Sequence, residues 1–100
     1  MSNSRYVKGR RNEYKSMKWL EQRGWDCYRT AGSHSKWDIL ALRPSGGEVL
    51  LVQVKTNRKP PIYKADYQHY HPDFRIHLHV WMDGGKDPEV YSFRTGYLVP

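Results

Sequence analysis

Two apolar segments separated by a turn signal restrict the fold of this chain more than any other feature. The segments cover residues 37–43 and 48–55, and Pro44-Ser45-Gly46-Gly47 lies between them. Such a proline and glycine cluster favours a tight chain reversal, and both flanking segments have the length of strands. The sequence therefore predicts a β-hairpin in the middle of the chain.

A four-residue loop fixes which hairpin residues face one another. Arg43 then faces Glu48, an opposite-charge pair that supports this register, and the numbers of every facing pair add up to 91. Asp38 is placed opposite Gln53, and Lys55 lies two residues further along the same face. Facing Cβ atoms are about 4.5–5.5 Å apart, so two oxygen-bearing side chains can share one hard cation. We expect these three side chains to converge; a simple Asp38–Lys55 ion pair on an exposed sheet face is the alternative.

The rest of the pattern predicts a helix before the hairpin and further strands around it. No proline interrupts residues 7–23 and Gly24 suits a helix C-cap, so we expect a helix from about Ser4 to Arg23, with Glu13 beside its apolar stripe. Further expectations are strands at 25–30, 76–82 and 89–94 and a short helix from Ala65 to His71. With 100 residues, this predicts a single α/β domain in which an N-terminal helix precedes a mixed β-sheet.

Positive charge is concentrated in the first two-thirds of the chain. Residues 1–64 contain fourteen Lys and Arg against five Asp and Glu, whereas residues 65–100 contain three against five, for a formal net charge of +7. This asymmetry favours a phosphate-binding surface, with a merely solvated basic face as the alternative. Tyrosines are interleaved with these cations and suit either base stacking or the core: Tyr6, Tyr63, Tyr67 and Tyr70.

Other classes of protein fit the sequence poorly. No apolar run reaches the roughly 18 residues of a membrane span, and the N-terminus does not resemble a signal peptide. Cys27, the single cysteine, cannot form an intrachain disulfide. We therefore expect an intracellular protein of the cytoplasm or nucleoid, of cellular or viral origin, with no membrane partner.

Six short motifs follow one another in a characteristic order. They are Lys8-Gly9, Glu13, the helix end from Leu20 to Trp25, Arg29-Thr30-Ala31-Gly32-Ser33, Trp37-Asp38-Ile39 and Val52-Gln53-Val54-Lys55. This series resembles the archaeal-type Holliday junction resolvases, which belong to the PD-(D/E)XK, restriction-endonuclease-like nucleases. The resemblance covers roughly residues 6–60 and implies a restriction-endonuclease-like core.

The resemblance also implies roles for the matching residues. Asp38 would be the central metal ligand, Glu13 would reach the metal directly or through water, and Lys55 would orient the attacking water or stabilise the phosphorane charge. Ser33 and Ser35 would contact the phosphate at the cleavage site. The metal would be Mg²⁺, which Mn²⁺ can replace. The residues expected to hold DNA are Lys8, Arg10, Arg11, Arg29, Ser33, Ser35, Lys36, Arg58 and Lys59.

The sequence departs from the family pattern at two places. Gln53 stands where the family has a second strand carboxylate; its amide oxygen can bind Mg²⁺ but adds no negative charge. The expected catalytic set is thus Glu13, Asp38, Gln53, Lys55 and Ser33, with the first three as metal ligands. In the last third, where the family has a further helix that builds the dimer surface, only residues 65–71 suit a helix.

The histidines offer a separate metal hypothesis. His69-x-His71 and His77-x-His79 could supply four zinc ligands. The alternative places His77 and His79 on the polar face of a strand whose other face, Ile76, Leu78 and Val80, is buried. The four tryptophans suit packing better than insertion into DNA: Trp19, Trp25, Trp37 and Trp81.

Together these observations predict a Mg²⁺-dependent endodeoxyribonuclease that cuts branched DNA, with four-way (Holliday) junctions as the expected substrate. A symmetric homodimer would present two active sites to two strands, as the two cuts of junction resolution require. The alternatives are a less structure-selective nuclease of the same superfamily and a nucleic-acid-binding module that has lost catalysis through Gln53. Metal-dependent nicking separates the enzymes from the binding module.

Overall fold

The computed structural model describes residues 4–30 and 35–100, without the side chains of residues 4–6. Helix α1 covers Ser4–Glu21 and ends two residues earlier than the sequence predicted. Gly24 follows with a φ of 90°, a left-handed conformation that glycine adopts without steric cost. The Trp25 amide donates back to the Leu20 carbonyl (3.2 Å), which turns the chain from the helix into the sheet.

A five-stranded mixed sheet follows the helix. Its strands are β1 (Asp26–Arg29), β2 (Ile39–Arg43), β3 (Glu48–Thr56), β4 (Arg75–Trp81) and β5 (Glu89–Ser92). They lie side by side in chain order. Only β3 and β4 are parallel; the other neighbours are antiparallel. The predicted α/β fold with a mixed sheet is confirmed.

The hairpin of β2 and β3 has the register that the sequence predicted. Ile39 pairs with Val52 and Arg43 with Glu48, and the Arg43 Nη1 lies 3.1 Å from the Glu48 Oε1. The connection is a short 3-10 turn, Pro44–Gly46, closed by Gly47 at a φ of 65°. Strand β2 begins at Ile39 rather than at Trp37, although the Asp38 amide still donates to the Val52 carbonyl (2.8 Å).

The crossover between β3 and β4 contradicts the predicted helix from Ala65 to His71. Residues 57–74 contain only a 3-10 turn at Lys64–Asp66. Pro60 and Pro61 near its start and Pro72 near its end restrict the backbone of this segment. The Arg94 side chain holds the segment by donating to the carbonyls of Phe74, Tyr70 and His71. Several of its apolar side chains pack against the sheet instead of forming a helical stripe: Ile62, Tyr67, Tyr70 and Phe74.

Apolar side chains cover both faces of the sheet. Helix α1 packs on one face over a core of Leu20, Trp25, Ile39, Ala41, Leu50, Val52, Val54 and Trp81. The crossover segment covers a second core on the other face, formed by Trp37, Ile76, Leu78, Val80 and Phe93. Tyr67 and Tyr70 therefore pack at a core, whereas Tyr63 is exposed. Trp25, Trp37 and Trp81 are buried, as the packing interpretation predicted.

Strand β4 corrects the interpretation of its histidines. His79 is fully buried and His77 is half-buried, because α1 covers the face on which a polar exposed surface was expected. Within residues 4–30 and 35–100, no three His, Cys, Asp or Glu side chains form a cluster that could hold a metal ion, so the four-histidine zinc hypothesis is wrong. In the same part of the chain, no helix is long and apolar enough to cross a membrane.

Candidate functional site

Asp38 lies where β2 and β3 begin to separate. Its carboxylate Oδ2 accepts the Val54 backbone N–H at 2.7 Å, and its carbonyl accepts the Thr30 N–H at 3.0 Å. The Val54 donor lies beyond the last β2–β3 residue pair. The side chain of Asp38 thus takes the place of a neighbouring strand at this point and is fixed at the sheet end.

The electrostatic surroundings of Asp38 bring four predicted site residues together. Burial raises the pKa of Asp38, the Val54 N–H lowers it, the negative charge of Glu13 raises it, and the cations Lys55 and Arg29 lower it. Each of these charges acts on the carboxylate only because it lies close by. Glu13 from the helix and Lys55 from β3 are therefore near enough to Asp38 to shift its pKa in opposite directions.

Glu13 reaches this region from α1 and is held by Arg29. The Arg29 Nε lies 2.8 Å from the Glu13 Oε1, and each side chain is only about 20% exposed. The Arg29 guanidinium also lies 5.2 Å from the centre of the Tyr14 ring. Arg29, which the sequence predicted to hold DNA, thus contacts the carboxylate that was predicted to bind metal.

Gln53 and Lys55 lie on β3, on the sheet face opposite to α1. Ile39 and Val52 form the last β2–β3 pair, and Asp38 and Gln53 are the residues that come next to this pair on their two chains. The side chains of Gln53 and Lys55 are half-buried. No ion pair joins Asp38 and Lys55 among the salt bridges of the described residues. The simple ion-pair alternative is therefore wrong.

The loop before Asp38 is only partly described. Ser33, with a predicted phosphate contact, lies outside the described residues, as does His34. Ser35 is exposed and accepts the Trp37 N–H at 3.0 Å. The Lys36 Nζ lies 2.6 Å from the Asp66 Oδ1, and the Trp37 indole donates to the Tyr70 hydroxyl at 2.7 Å. The crossover segment therefore anchors the chain just before Asp38.

Most of the remaining predicted DNA-binding cations are exposed. Arg10 and Arg11 are exposed on α1, and Arg58 and Lys59 are exposed after β3. Lys8, by contrast, forms an ion pair, because its Nζ lies 3.2 Å from the Asp83 Oδ1. The exposed arginines of α1 precede Glu13 by two and three residues, and the other pair follows Lys55 by three and four residues in the chain.

Sequence reasoning missed one contact within the site. The Asn12 amide Nδ2 donates to the Thr56 Oγ1 at 2.8 Å, although the two residues are 44 positions apart. Each is the neighbour of a predicted site residue, Glu13 or Lys55. The polar residues 8, 12 and 16 share one face of the helix and could have indicated this contact. An analysis of the apolar stripe alone does not consider them.

Comparison with known proteins adds the family. The model of the archaeal Holliday junction resolvase (Hjc) family matches residues 4–68. The chain belongs to the Hjc family. The matched range includes every residue assigned to the site from the sequence.

A solved structure supports the fold independently. The Hjc Holliday junction resolvase of Archaeoglobus fulgidus matches with a TM-score of 0.62 over 87% of this chain and 74% of that chain, at 18% identity. The search of curated proteins found no match. The architecture of that structure is thus shared by most of this chain.

Proposed function

We propose that this member of the Hjc family is a Mg²⁺-dependent endodeoxyribonuclease that resolves four-way DNA junctions. The convergence of Glu13 and Lys55 on the half-buried Asp38 carries the proposal. Two carboxylates and the Gln53 amide provide hard oxygen ligands of the kind that Mg²⁺ and Mn²⁺ prefer. A cation bound there would neutralise phosphate charge and activate water.

The side chains of the protein complete this chemistry. The Lys55 ammonium, which no described acidic group pairs, would orient the attacking water or stabilise the charge that develops on the phosphorane. The Val54 N–H and Arg29 fix the directions of Asp38 and Glu13. Ser33 and Ser35, together with the exposed cations Arg10, Arg11, Arg58 and Lys59, would hold the DNA backbone. A DNA substrate of this kind places the protein inside the cell.

A homodimer follows from the two cuts that resolution needs. Two symmetric copies would place two sites on two strands of one junction. Sedimentation of the protein with and without a junction measures the stoichiometry, and a single copy on a resolved junction would contradict the dimer.

The function is tested with labelled four-way junction, matched duplex and single strand, each with and without Mg²⁺. We expect paired cuts in the junction only when metal is present. Cutting of all three DNAs would indicate a less selective nuclease. Tight junction binding without cutting at any Mg²⁺ or Mn²⁺ concentration would indicate the binding module, which the uncharged Gln53 favours.

Gln53→Glu should lower the Mg²⁺ concentration that gives half-maximal cleavage, because it adds a negative ligand charge beside Asp38. Without metal, DNA affinity should fall slightly, since the new carboxylate repels phosphate. Metal titrations of cleavage for both proteins measure the effect, and Gln68→Glu, at an exposed position of the crossover, is the matched control. Identical curves for Gln53→Glu and the wild type would remove Gln53 from the metal site.

Binding to DNA should weaken steeply with salt, and Arg10→Ala with Arg11→Ala should flatten that dependence. Each lost phosphate contact on a duplex arm reduces the slope of log K against log salt by about 0.9. Fluorescence anisotropy between low and moderate salt gives the slope. Lys86→Ala, which removes an exposed cation between β4 and β5, is the control. An unchanged slope in the double arginine variant would place the DNA elsewhere.

A further inference from the structure

Helix α1 presents a stripe of polar side chains to the ends of β3 and β4. Lys8, Asn12 and Ser16 follow one another at intervals of four residues and so share one face of the helix. Their partners are Asp83, Thr56 and the pair His79 and Trp81. Each of these contacts fixes the helix at its own turn, because hydrogen bonds require a defined geometry.

The Asn12–Thr56 bond is the member of this stripe closest to the candidate site. Asn12 is 5% exposed, so water cannot readily replace Thr56 as its partner. Asn12 directly precedes Glu13, and Thr56 directly follows Lys55. The bond therefore joins the helix and the strand immediately beside the two groups that must meet at Asp38.

The relative position of helix and strand decides whether a metal can be shared. Among the proposed ligands, Glu13 alone lies on α1, whereas Asp38 and Gln53 lie in the sheet region. A shift of α1 at this turn would move Glu13 relative to the other two. Arg29 restrains Glu13 from the β1 side. Apart from the Asn12–Thr56 bond, no described side-chain hydrogen bond joins α1 to β3.

We propose that the Asn12–Thr56 hydrogen bond is a positioning contact that holds Glu13 at the distance from Asp38 and Gln53 needed to bind a divalent cation. This inference rests on the metal site of the proposed function. Neither residue contacts the metal or the DNA; both act through the placement of the helix. Groups that orient metal ligands commonly change metal affinity by about tenfold or more when they are removed.

The inference is tested by titrating Mn²⁺ into the purified protein without DNA and measuring affinity by calorimetry. Thr56→Val keeps the shape of the side chain and removes the hydroxyl, so it should weaken Mn²⁺ binding by about tenfold. Thr56→Ser retains the hydroxyl and should keep an affinity within about twofold of the wild type. Asn12→Ala added to Thr56→Val should cause little further loss, because the pair acts as one unit.

Ser16→Ala provides the matched control for a purely structural effect. It removes a fully buried contact of the same helix with β4, one turn further along, at His79 and Trp81. It should lower the melting temperature but leave Mn²⁺ affinity unchanged. Equal Mn²⁺ affinity of Thr56→Val and the wild type, or an equal loss in Ser16→Ala, would overturn the positioning role. A wild-type protein that binds no Mn²⁺ would instead contradict the metal site itself.

Discussion

Asp38→Asn is expected to reduce cleavage of a four-way junction by about 100-fold or more and to leave junction binding unchanged or tighter. The substitution removes the central ligand charge, on which metal binding depends, and some repulsion towards phosphate. Its amide oxygen can still accept the Val54 N–H, so the sheet end keeps its shape. Because burial already raises the pKa of Asp38, a neutral side chain should not lower the melting temperature at neutral pH.

The measurement compares single-turnover cleavage rates and junction affinities for the wild type and the variant. Asp73→Asn is the matched control, since that side chain is 91% exposed and precedes β4 on the far side of the crossover. Native-rate cleavage by Asp38→Asn would place the active site elsewhere. Loss of both cleavage and binding would show that Asp38 supports the DNA surface rather than the reaction.

The hairpin could be predicted because local rules determine it. The turn sequence and the charge pair predicted the register that β2 and β3 have, from Ile39 opposite Val52 to Arg43 opposite Glu48. The predicted convergence of Asp38, Gln53 and Lys55 extends that register beyond Ile39. Helical spacing predicted that Glu13 lies beside the apolar stripe of α1, and its proposed role as a metal ligand came from the resemblance to the family. The register and the helical spacing rest on contacts between neighbours on one element or across one short turn, where side-chain periods of 2 and 3.6 apply.

The errors concern contacts between elements that are distant in sequence. His79 was expected to be exposed because its strand alternates, yet Ser16 and Trp19 of α1 cover it from more than 55 positions away. The crossover is irregular because aromatic packing and Arg94 hold it. The Asn12–Thr56 bond was missed for the same reason. The period of a sequence shows which side chains share one face of a strand or helix. Only the packing of the elements shows what covers that face.

Buried histidines should make the protein lose stability as the pH falls below the ordinary histidine pKa. Burial, together with nearby His77 and Arg23, lowers the pKa of His79 to about 3 from 6.5. Burial and Arg75 lower the pKa of His77 to about 4 from the same value. Below about pH 6.5, the two histidines therefore bind protons in the unfolded chain but not in the folded chain. Stability is fully present above pH 6.5 and decreases as the pH falls towards the folded pKa values.

The pKa of His79 is lowered because a charged imidazole ring would lack partners at this position. Its Nδ1 lies 2.9 Å from the Ser16 Oγ, which also accepts the Trp81 indole N–H at 2.7 Å. Its Nε2 has no hydrogen-bond partner among the described residues, and the ring meets the edge of Trp19. An imidazolium there would bury a charge without compensation. Two carboxylates with lowered pKa values, the half-buried Asp66 and the exposed Asp83, lose their contribution to stability mainly below about pH 4.

The expected slope between pH 6.5 and 4 is about 1 kcal/mol per pH unit for each of the two histidines, and several kcal/mol in total. Urea unfolding at a series of pH values measures it. His79→Asn should be less stable at neutral pH, since it leaves a cavity, but should lose roughly half as much stability on acidification because one of two such groups is gone. His69→Asn, at an exposed position, should keep the wild-type slope. If His79→Asn also keeps that slope, His79 accepts a proton without unfolding, and the polar stripe of α1 must open locally to admit water to the ring.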